Sequence, residues 1–397
     1  MSSQNKKPFS CDFESKRFAF YILGAGFSKP AGLPLANELW AEIRQRGLLM
    51  SERASKFRED LDSFIEYKKK CENLDLTPEL VNFEEFISFL DIEHFLGLRG
   101  GDTWSSHGNE GQVVVKTLIG ELLSAAQPES AKIPEIYFRF AEILRPDDVI
   151  MTFNYDLLLE RSLDAAGIPY RLYPNRHIPD PDIPGKLTVD NREEVLIMKV
   201  HGSIDWFDRS DYAVLEEERV RNGFPPGGPD ILFQHPEEFS ASPLIEGSYY
   251  PDDPLRHIYR VRDIERFYRN RILFHATPSL LNPSSAKFLY SKMYRDFWSG
   301  MGRAGTLNFR MGIIGFSLPE QDNYARQIIY RIVDNYQTAY WEDNPWRHKK
   351  APLVLIDLRK SAEEVEEYQN RYRFVNWDRA VASYNGFNDE ALELLRC

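Results

Sequence analysis

Cysteine is nearly absent: among 397 residues only Cys11, Cys71 and Cys397 carry a thiol, and no two are near neighbours. A zinc ribbon needs paired CxxC ligands, and a disulfide framework needs an even, regularly spaced set, so both are excluded. Long apolar runs are missing as well. No stretch approaches the roughly 18 consecutive apolar residues of a membrane-spanning helix, and the opening MSSQNKKPFS lacks the apolar centre of a secretory signal. Positive charge is in deficit, with 49 Lys and Arg against 61 Asp and Glu and a formal net charge of −12. That balance opposes non-specific coating of nucleic acid, whose phosphates attract Lys and Arg. A cytoplasmic protein is expected, without direct nucleic-acid binding and without a bound metal, since no His/Asp/Glu cluster suggests one. The chain has no GxxxxGK[ST] loop, no internal repeat and no low-complexity tract.

What is present is enough apolar and aromatic material for a substantial core, 43% and 13% of the chain. Five short runs are apolar without alternation: FAFYIL (18–23), DVIMTF (148–153), EVLIMKV (194–200), RMGIIGF (310–316) and PLVLIDL (352–358). Continuous apolar character fits strands covered on both faces, hence a parallel sheet. The expected fold is α/β, a Rossmann-like parallel sheet flanked by helices. One domain spans 16–360, with a large helical insertion at 35–145 and a second, mixed insertion at 207–305. Residues 361–397 read as a C-terminal extension of helix, extended piece and helix, packing on the domain or mediating assembly. Within the first insertion, FEEFISFLDIEHFL (83–96) sets Phe83, Phe86 and Leu90 on one helical face. GLRGGDTWSSHGNEGQ (97–112) reads as an exposed loop. RHIYRVRDIERFYRNR (256–271) reads as an amphipathic helix whose arginines form either a solvated face or a docking surface for an acidic partner or nucleic acid.

Open α/β sheets bind ligands beyond the carboxyl ends of their strands, so the residues just after each run are candidates. After the first run, Gly24 and Gly26 permit a sharp turn and close backbone approach, and Ser28 is placed to cap a helix start that suits an anion. An ordinary strand-to-helix turn would look the same, and the spacing Gly24, Gly26, Gly32 breaks the usual GxGxxG fingerprint. TFNYD (152–156) sets Asn154 and Asp156 at a strand end, where they offer an amide and a carboxylate to a ligand or merely form an Asx turn. KVHGSIDW (199–206) sets His201, which accepts a proton near neutral pH, between a buried run and a glycine. GFSLPEQD (315–322) repeats the pattern with Gly315 and Ser317. Asp357 ends the fifth run, as a ribose-binding carboxylate or as a helix cap.

Taken together and in order, GAGFSKPAGLP, TFNYD, KVHGSIDW and IIGFSLPEQD resemble the sirtuin-like superfamily, in its prokaryotic branch without a zinc ribbon. The resemblance runs from about residue 18 to 358, and VNFEEFISFLD is similar to the helix of that branch. It implies that Gly24, Ala25, Gly26 and Ser28 cradle the phosphates of NAD, the substrate. It assigns Asn154 to the ribose and the attacking water, His201 to general base catalysis, and Gly315 and Ser317 to the adenosine half, while Asp156 is expected at the catalytic loop, orienting it rather than acting as acid. Protein-deacylating relatives carry four zinc cysteines after the His-Gly pair, and this chain has none between Cys71 and Cys397. Their G-I-P-D-F-R becomes Gly32-Leu33-Pro34 followed by LANELW, and the Gln of T-Q-N-I-D becomes Phe153. The physical reason to expect acyl-lysine recognition is therefore gone. What the resemblance implies instead is an NAD+ hydrolase acting in antiphage defence by NAD depletion. Such a protein is expected as a homo-oligomer, or beside a regulatory partner such as a HerA-like motor ATPase or a short Argonaute-type sensor. The rival reading is a catalytically silent NAD or ADP-ribose sensor, or a scaffold subunit gating a partner.

Overall fold

All five apolar runs become strands of one sheet, because each has an apolar layer on both of its faces. The computed structural model describes residues 18–49, 55–98, 108–173, 176–190, 192–224, 240–269, 277–281, 284, 298, 301–342 and 349–396. Its strands are β1 (Ala19–Leu23), β2 (Val149–Thr152), β3 (Tyr170–Leu172), β4 (His177–Pro179), β5 (Leu187–Val189), β6 (Val195–Lys199), β7 (Gly202–Asp208), β8 (Ala241–Pro243), β9 (Ile258–Val261), β10 (Pro278–Leu280), β11 (Arg310–Ile314), β12 (Leu353–Ile356) and β13 (Ala380–Ser383). The central sheet has seven strands in the order β13-β12-β11-β1-β2-β6-β3. Every pairing within it is parallel. Successive side chains of a strand point to opposite faces. Along β1, Ala19, Tyr21 and Leu23 enter one apolar layer, while Phe20 and Ile22 enter the other. Along β12, Val354 and Ile356 share the first layer, and Leu353 and Leu355 the second. The expected Rossmann-like α/β fold is observed.

Among the described residues between β1 and β2 lie five helices of nine residues or more, Ala36–Leu49, Ser55–Glu72, Phe83–Leu96, Glu110–Ala126 and Glu135–Ile143. Helix Phe83–Leu96 begins where the Asn82 side chain accepts the Glu85 N–H at 3.1 Å, and it ends at Gly97, whose φ is +62°. It buries Phe83, Phe86 and Leu90, the face its periodicity predicts. The expected loop 97–112 is shorter than its composition suggested. Residues 99–107 lie outside the described residues, but Asn109 and Gln112 form a buried capping box that starts helix Glu110–Ala126. Asn109 accepts the Gln112 N–H, and Gln112 accepts the Asn109 N–H, both at 2.9 Å.

A four-stranded antiparallel sheet, β10-β7-β9-β8, follows β6. It opens at Gly202 in β7, ahead of the boundary placed at 207. Residues 225–229 and 285–297 lie outside the described residues. The amphipathic helix expected over 256–271 is not formed. Ile258–Val261 is a strand between a 3-10 turn, Pro254–His257, and the short α-helix Ile264–Arg269. Ile258, Val261, Ile264 and Phe267 are all buried as expected. Ile258 and Val261, three residues apart in a strand, point to opposite faces and enter different apolar layers, so both are buried without a helical stripe. Arg260 is not on a solvated face either: its Nε donates to Asp205 Oδ2 at 2.7 Å, inside the antiparallel sheet. Residues 270 and 271 lie outside the described residues.

The C-terminal stretch is helix Ala362–Arg371, β13 and helix Asp389–Arg396. Its extended piece pairs in parallel with β12, and Ala391, Leu392 and Leu395 are buried in the first apolar layer. Residues 361–396 thus supply part of the sheet and its cover.

Candidate functional site

Because the central strands are parallel, their carboxyl ends share one edge. Across it stand Asp357 after β12, Gly315 after β11, Gly24 after β1, Asn154 after β2 and His201 after β6. The chain leaves β1 in one direction and returns on its other side with β11, so the switch in strand order falls between β1 and β11.

At that switch the two glycine turns touch. Gly24 N–H donates to Ile314 O, and Gly26 N–H to Gly315 O, each at 2.9 Å. A Cβ on Gly24 would sit 2.5 Å from Gly315 O, and one on Gly26 2.7 Å from Gly315 Cα. Gly315 itself has φ +62°, with Phe27 N 2.2 Å from where its Cβ would be. The absence of side chains therefore lets two backbones meet, and the Gly24 and Gly26 N–H groups are donated to carbonyls of β11 and its turn. Ser28 does not cap a helix through its side chain. Its buried hydroxyl donates to Asp156 Oδ2 at 2.9 Å.

The TFNYD segment divides its work. Asp156 Oδ1 accepts the Leu158 N–H at 3.0 Å, the Asx turn that starts helix Leu158–Ala166. Asn154 instead reaches across the sheet edge, donating from Nδ2 to Gly24 O at 2.9 Å and to Ser28 Oγ at 3.1 Å. A carbonyl oxygen can only accept, so this contact fixes which end of the amide is nitrogen. Asn154 Oδ1 has no donor among the described residues and is available as an acceptor. Beneath the site, Lys199 Nζ reaches Glu160 Oε1 at 2.8 Å and the Asp156 carbonyl at 2.5 Å, with both charged side chains almost fully buried.

His201 is buried, and its Nε2 lies 3.1 Å from Asp322 Oδ2. Asp322 also caps helix Asn323–Thr338, accepting the Ala325 N–H at 3.0 Å through Oδ1. One carboxylate thus anchors a helix and orients the imidazole. Around the ring stand Phe153 (centroids 5.0 Å apart), Tyr155 (6.2 Å) and Trp298 (6.1 Å), and Phe153 stacks on Phe316 at 4.2 Å. Phe153, which departs from the glutamine of the resembled motif, therefore packs the imidazole.

Ser317 and Asp357 stand apart from this cluster. Ser317 is exposed, and its carbonyl accepts from Arg371 at 3.4 Å. Asp357 pairs with Arg359 at 3.2 Å and accepts the Leu358 N–H at 2.7 Å. Burial raises its carboxyl above the ordinary range, against the opposing pull of Arg359. It is not a helix cap: Ser361 caps Ala362–Arg371. Two strand spacings, roughly 10 Å, separate the ends of β12 and β1. Asp322, Lys199 and Glu160 were not singled out from the sequence as site residues. An Asp directly before a helical run was the one legible signal, for Asp322. Among the described residues no group of three or more His, Cys, Asp or Glu is arranged to hold a metal ion, and no helix is long and apolar enough to cross a membrane.

Residues 148–236 match the family model described as a SIR2-like domain. The matched segment carries Asn154, Asp156 and His201, while Gly24, Ser28, Gly315 and Asp322 reach the site from outside it. No curated protein matches the chain. Among solved structures the chain is similar to a Sir2 homologue in complex with 2'-O-acetyl ADP ribose, at 12% identity over 97% of this chain and 93% of that one, with a TM-score of 0.38. It is also similar to a Sir2–p53 peptide–NAD+ complex (13% identity, 97% and 93% coverage, TM-score 0.31) and to Sir2Tm bound to a propionylated peptide (12%, 97% and 93%, TM-score 0.33). Superpositions this loose transfer no residue's role.

Proposed function

We propose that this chain is an NAD+ hydrolase that cleaves the nicotinamide–ribose bond. The observation that carries the reading is the convergence of Asn154, with an oriented amide, and His201, backed by Asp322, at neighbouring strand ends of a parallel sheet. In the proposed step the ribose C1'–nitrogen bond breaks with its electron pair going to nicotinamide, and a water oxygen bonds C1'. The water proton goes to His201, and ADP-ribose and nicotinamide leave. The transition state is oxocarbenium-like, so positioned dipoles matter more than a strong nucleophile. Asn154 Oδ1 would hold the ribose or the water. His201 as general base would contribute about 10²–10⁴-fold, and Asp322 would stabilise the imidazolium that forms, as a carboxylate behind a catalytic histidine does. Asp156, committed to Ser28 and the Leu158 N–H, would hold the loop rather than move a proton. Gly24, Ala25, Gly26 and Ser28 would line the phosphate side through close backbone approach, with Gly315 and Ser317 toward adenosine.

An unregulated NAD+ hydrolase would deplete its own cell, and we place the activity in antiphage defence. Self-assembly would supply the trigger, or a second chain such as a HerA-like ATPase or a short Argonaute would. The rival reading is a silent NAD or ADP-ribose sensor, which would need the same glycine turns but neither Asn154 nor His201. The deciding measurement is nicotinamide release from NAD by the purified chain, with and without its assembled or neighbour-bound form, beside Asn154→Ala and His201→Ala. Release that both substitutions abolish supports the hydrolase. NAD bound without release under every condition supports the sensor.

A further inference from the structure

Strand β6 reads VLIMK, and its alternation sends Val195, Ile197 and Lys199 to one face. Val195 and Ile197 there share an apolar layer with Leu158 and Leu163 of helix Leu158–Ala166. Lys199 is buried on the same face. Burial of an ammonium is tolerated only when its charge is paired and its N–H groups meet acceptors. Glu160 Oε1 supplies the opposite charge at 2.8 Å. The second acceptor is the Asp156 carbonyl oxygen, at 2.5 Å, in the loop that joins β2 to the helix. The carbonyl before it, of Tyr155, accepts the Ile204 N–H at 3.1 Å, so two consecutive peptides of the loop are tied toward β6 and β7. That loop carries Asn154.

Asp156 also joins the loop to the first glycine turn. A carboxylate accepts and cannot donate, so the Ser28 hydroxyl gives its one proton to Asp156 Oδ2 at 2.9 Å. The Ser28 oxygen is left to accept, and it does so from Asn154 Nδ2 at 3.1 Å. The direction of the Asn154 amide therefore depends on where Asp156 is held. Lys199 holds it, and the strand that carries Lys199 reaches His201 two residues later. One side chain thus ties the Asn154 loop to the segment that presents the imidazole. We propose that Lys199 is a positioning residue for NAD+ cleavage, fixing the Asn154 loop relative to His201 through its bond to the Asp156 carbonyl. Its effect on rate rests on the hydrolase reading above; its anchoring of the loop does not.

Lys199→Met combined with Glu160→Leu removes both charges at once, and so separates the stability of the ion pair from the bond to Asp156. Three quantities are measured on the full chain: Tm, kcat and KM for nicotinamide release, and hydrogen exchange of the Leu158 amide, which Asp156 Oδ1 accepts. Tm is expected near wild type, with exchange at Leu158 faster by about tenfold or more, because a hydrogen bond from a charged donor has been lost nearby. The expected fall in kcat is about 10–10²-fold with KM near wild type, since a misplacement of about 1 Å can cost about 10²-fold in rate. A lysine serving stability alone would leave kcat at wild type once Tm is restored. Should that variant fail to fold, Lys199→Gln with Glu160→Gln takes its place: the two amides can bond each other, and the side chain at 199 is one bond shorter. Wild-type kcat in a folded variant, or wild-type exchange at Leu158, would overturn the proposal. Faster exchange, in a protein whose wild type releases no nicotinamide in any form, would overturn the hydrolase reading and still support Lys199 as the loop's anchor.

Discussion

Gly315 carries two constraints at once, a left-handed backbone and a neighbour where its Cβ would be. Its φ is +62°, and Phe27 N would lie 2.2 Å from an added Cβ. Gly32, with φ +86°, has nothing within 4 Å of that position. The left-handed conformation alone costs an ordinary residue about 1–2 kcal/mol. Gly32→Ala is therefore expected to lower stability by about that amount, and Gly315→Ala by clearly more, since the two glycine turns must separate. Denaturant titration of the pair checks the order, and equal losses would show that the contact between the turns yields easily. Asp322 is the other decisive residue. Asp322→Asn keeps an oxygen for the Ala325 N–H but replaces the carboxylate facing His201. Nicotinamide release is expected to fall by about 10²–10⁴ in kcat, with KM and Tm near wild type. A loss that appears in Tm instead would make Asp322 only a helix anchor.

Among the elements, β6 and the helix Leu158–Ala166 are joined by the buried Lys199–Glu160 pair, both side chains at most 2% exposed. Removing one member of such a pair strands the other charge and costs about 3–5 kcal/mol. Lys199→Met is expected to lose that much, and Lys199→Met with Glu160→Leu to recover most of it, because two apolar residues leave no unpaired charge. A double-mutant cycle by denaturant unfolding measures the coupling, and additive losses would show the pair to be independent. Lys199 was visible in the sequence only as the first letter of KVHGSIDW, since a lysine at the end of an apolar strand is usually solvated. Its partner lies 39 residues earlier, and pairing at that range follows from strand order alone. Residues 256–271 fail for a different reason. Four apolar positions at spacings of about three fit a helix, but Ile258–Val261 is a strand because β7 and β8 flank it with backbone partners.

For the whole molecule, the stretch after residue 360 closes the sheet. β13 supplies the edge partner of β12, and helix Asp389–Arg396 buries Ala391, Leu392 and Leu395 beneath it. A chain ending at residue 360 is expected to lose cooperative thermal unfolding and to aggregate, because an unpaired strand edge and an uncovered apolar face are exposed together. Cooperative melting of that shortened chain at the full-length Tm would show the tail to be separable. The sequence by itself determined the five parallel strands, since only strands covered on both faces are apolar at every position. It also marked Gly24, Asn154, His201 and Gly315, because short polar or glycine turns directly after such runs have to lie on the ligand-binding edge. The tertiary structure alone decided which groups those residues meet. The glycines face each other's backbones, Asn154 holds the Gly24 carbonyl 130 residues away, and Asp322 stands behind His201. Those partners are distant in the chain and are brought together by strand order and register, and no local pattern of residues records either.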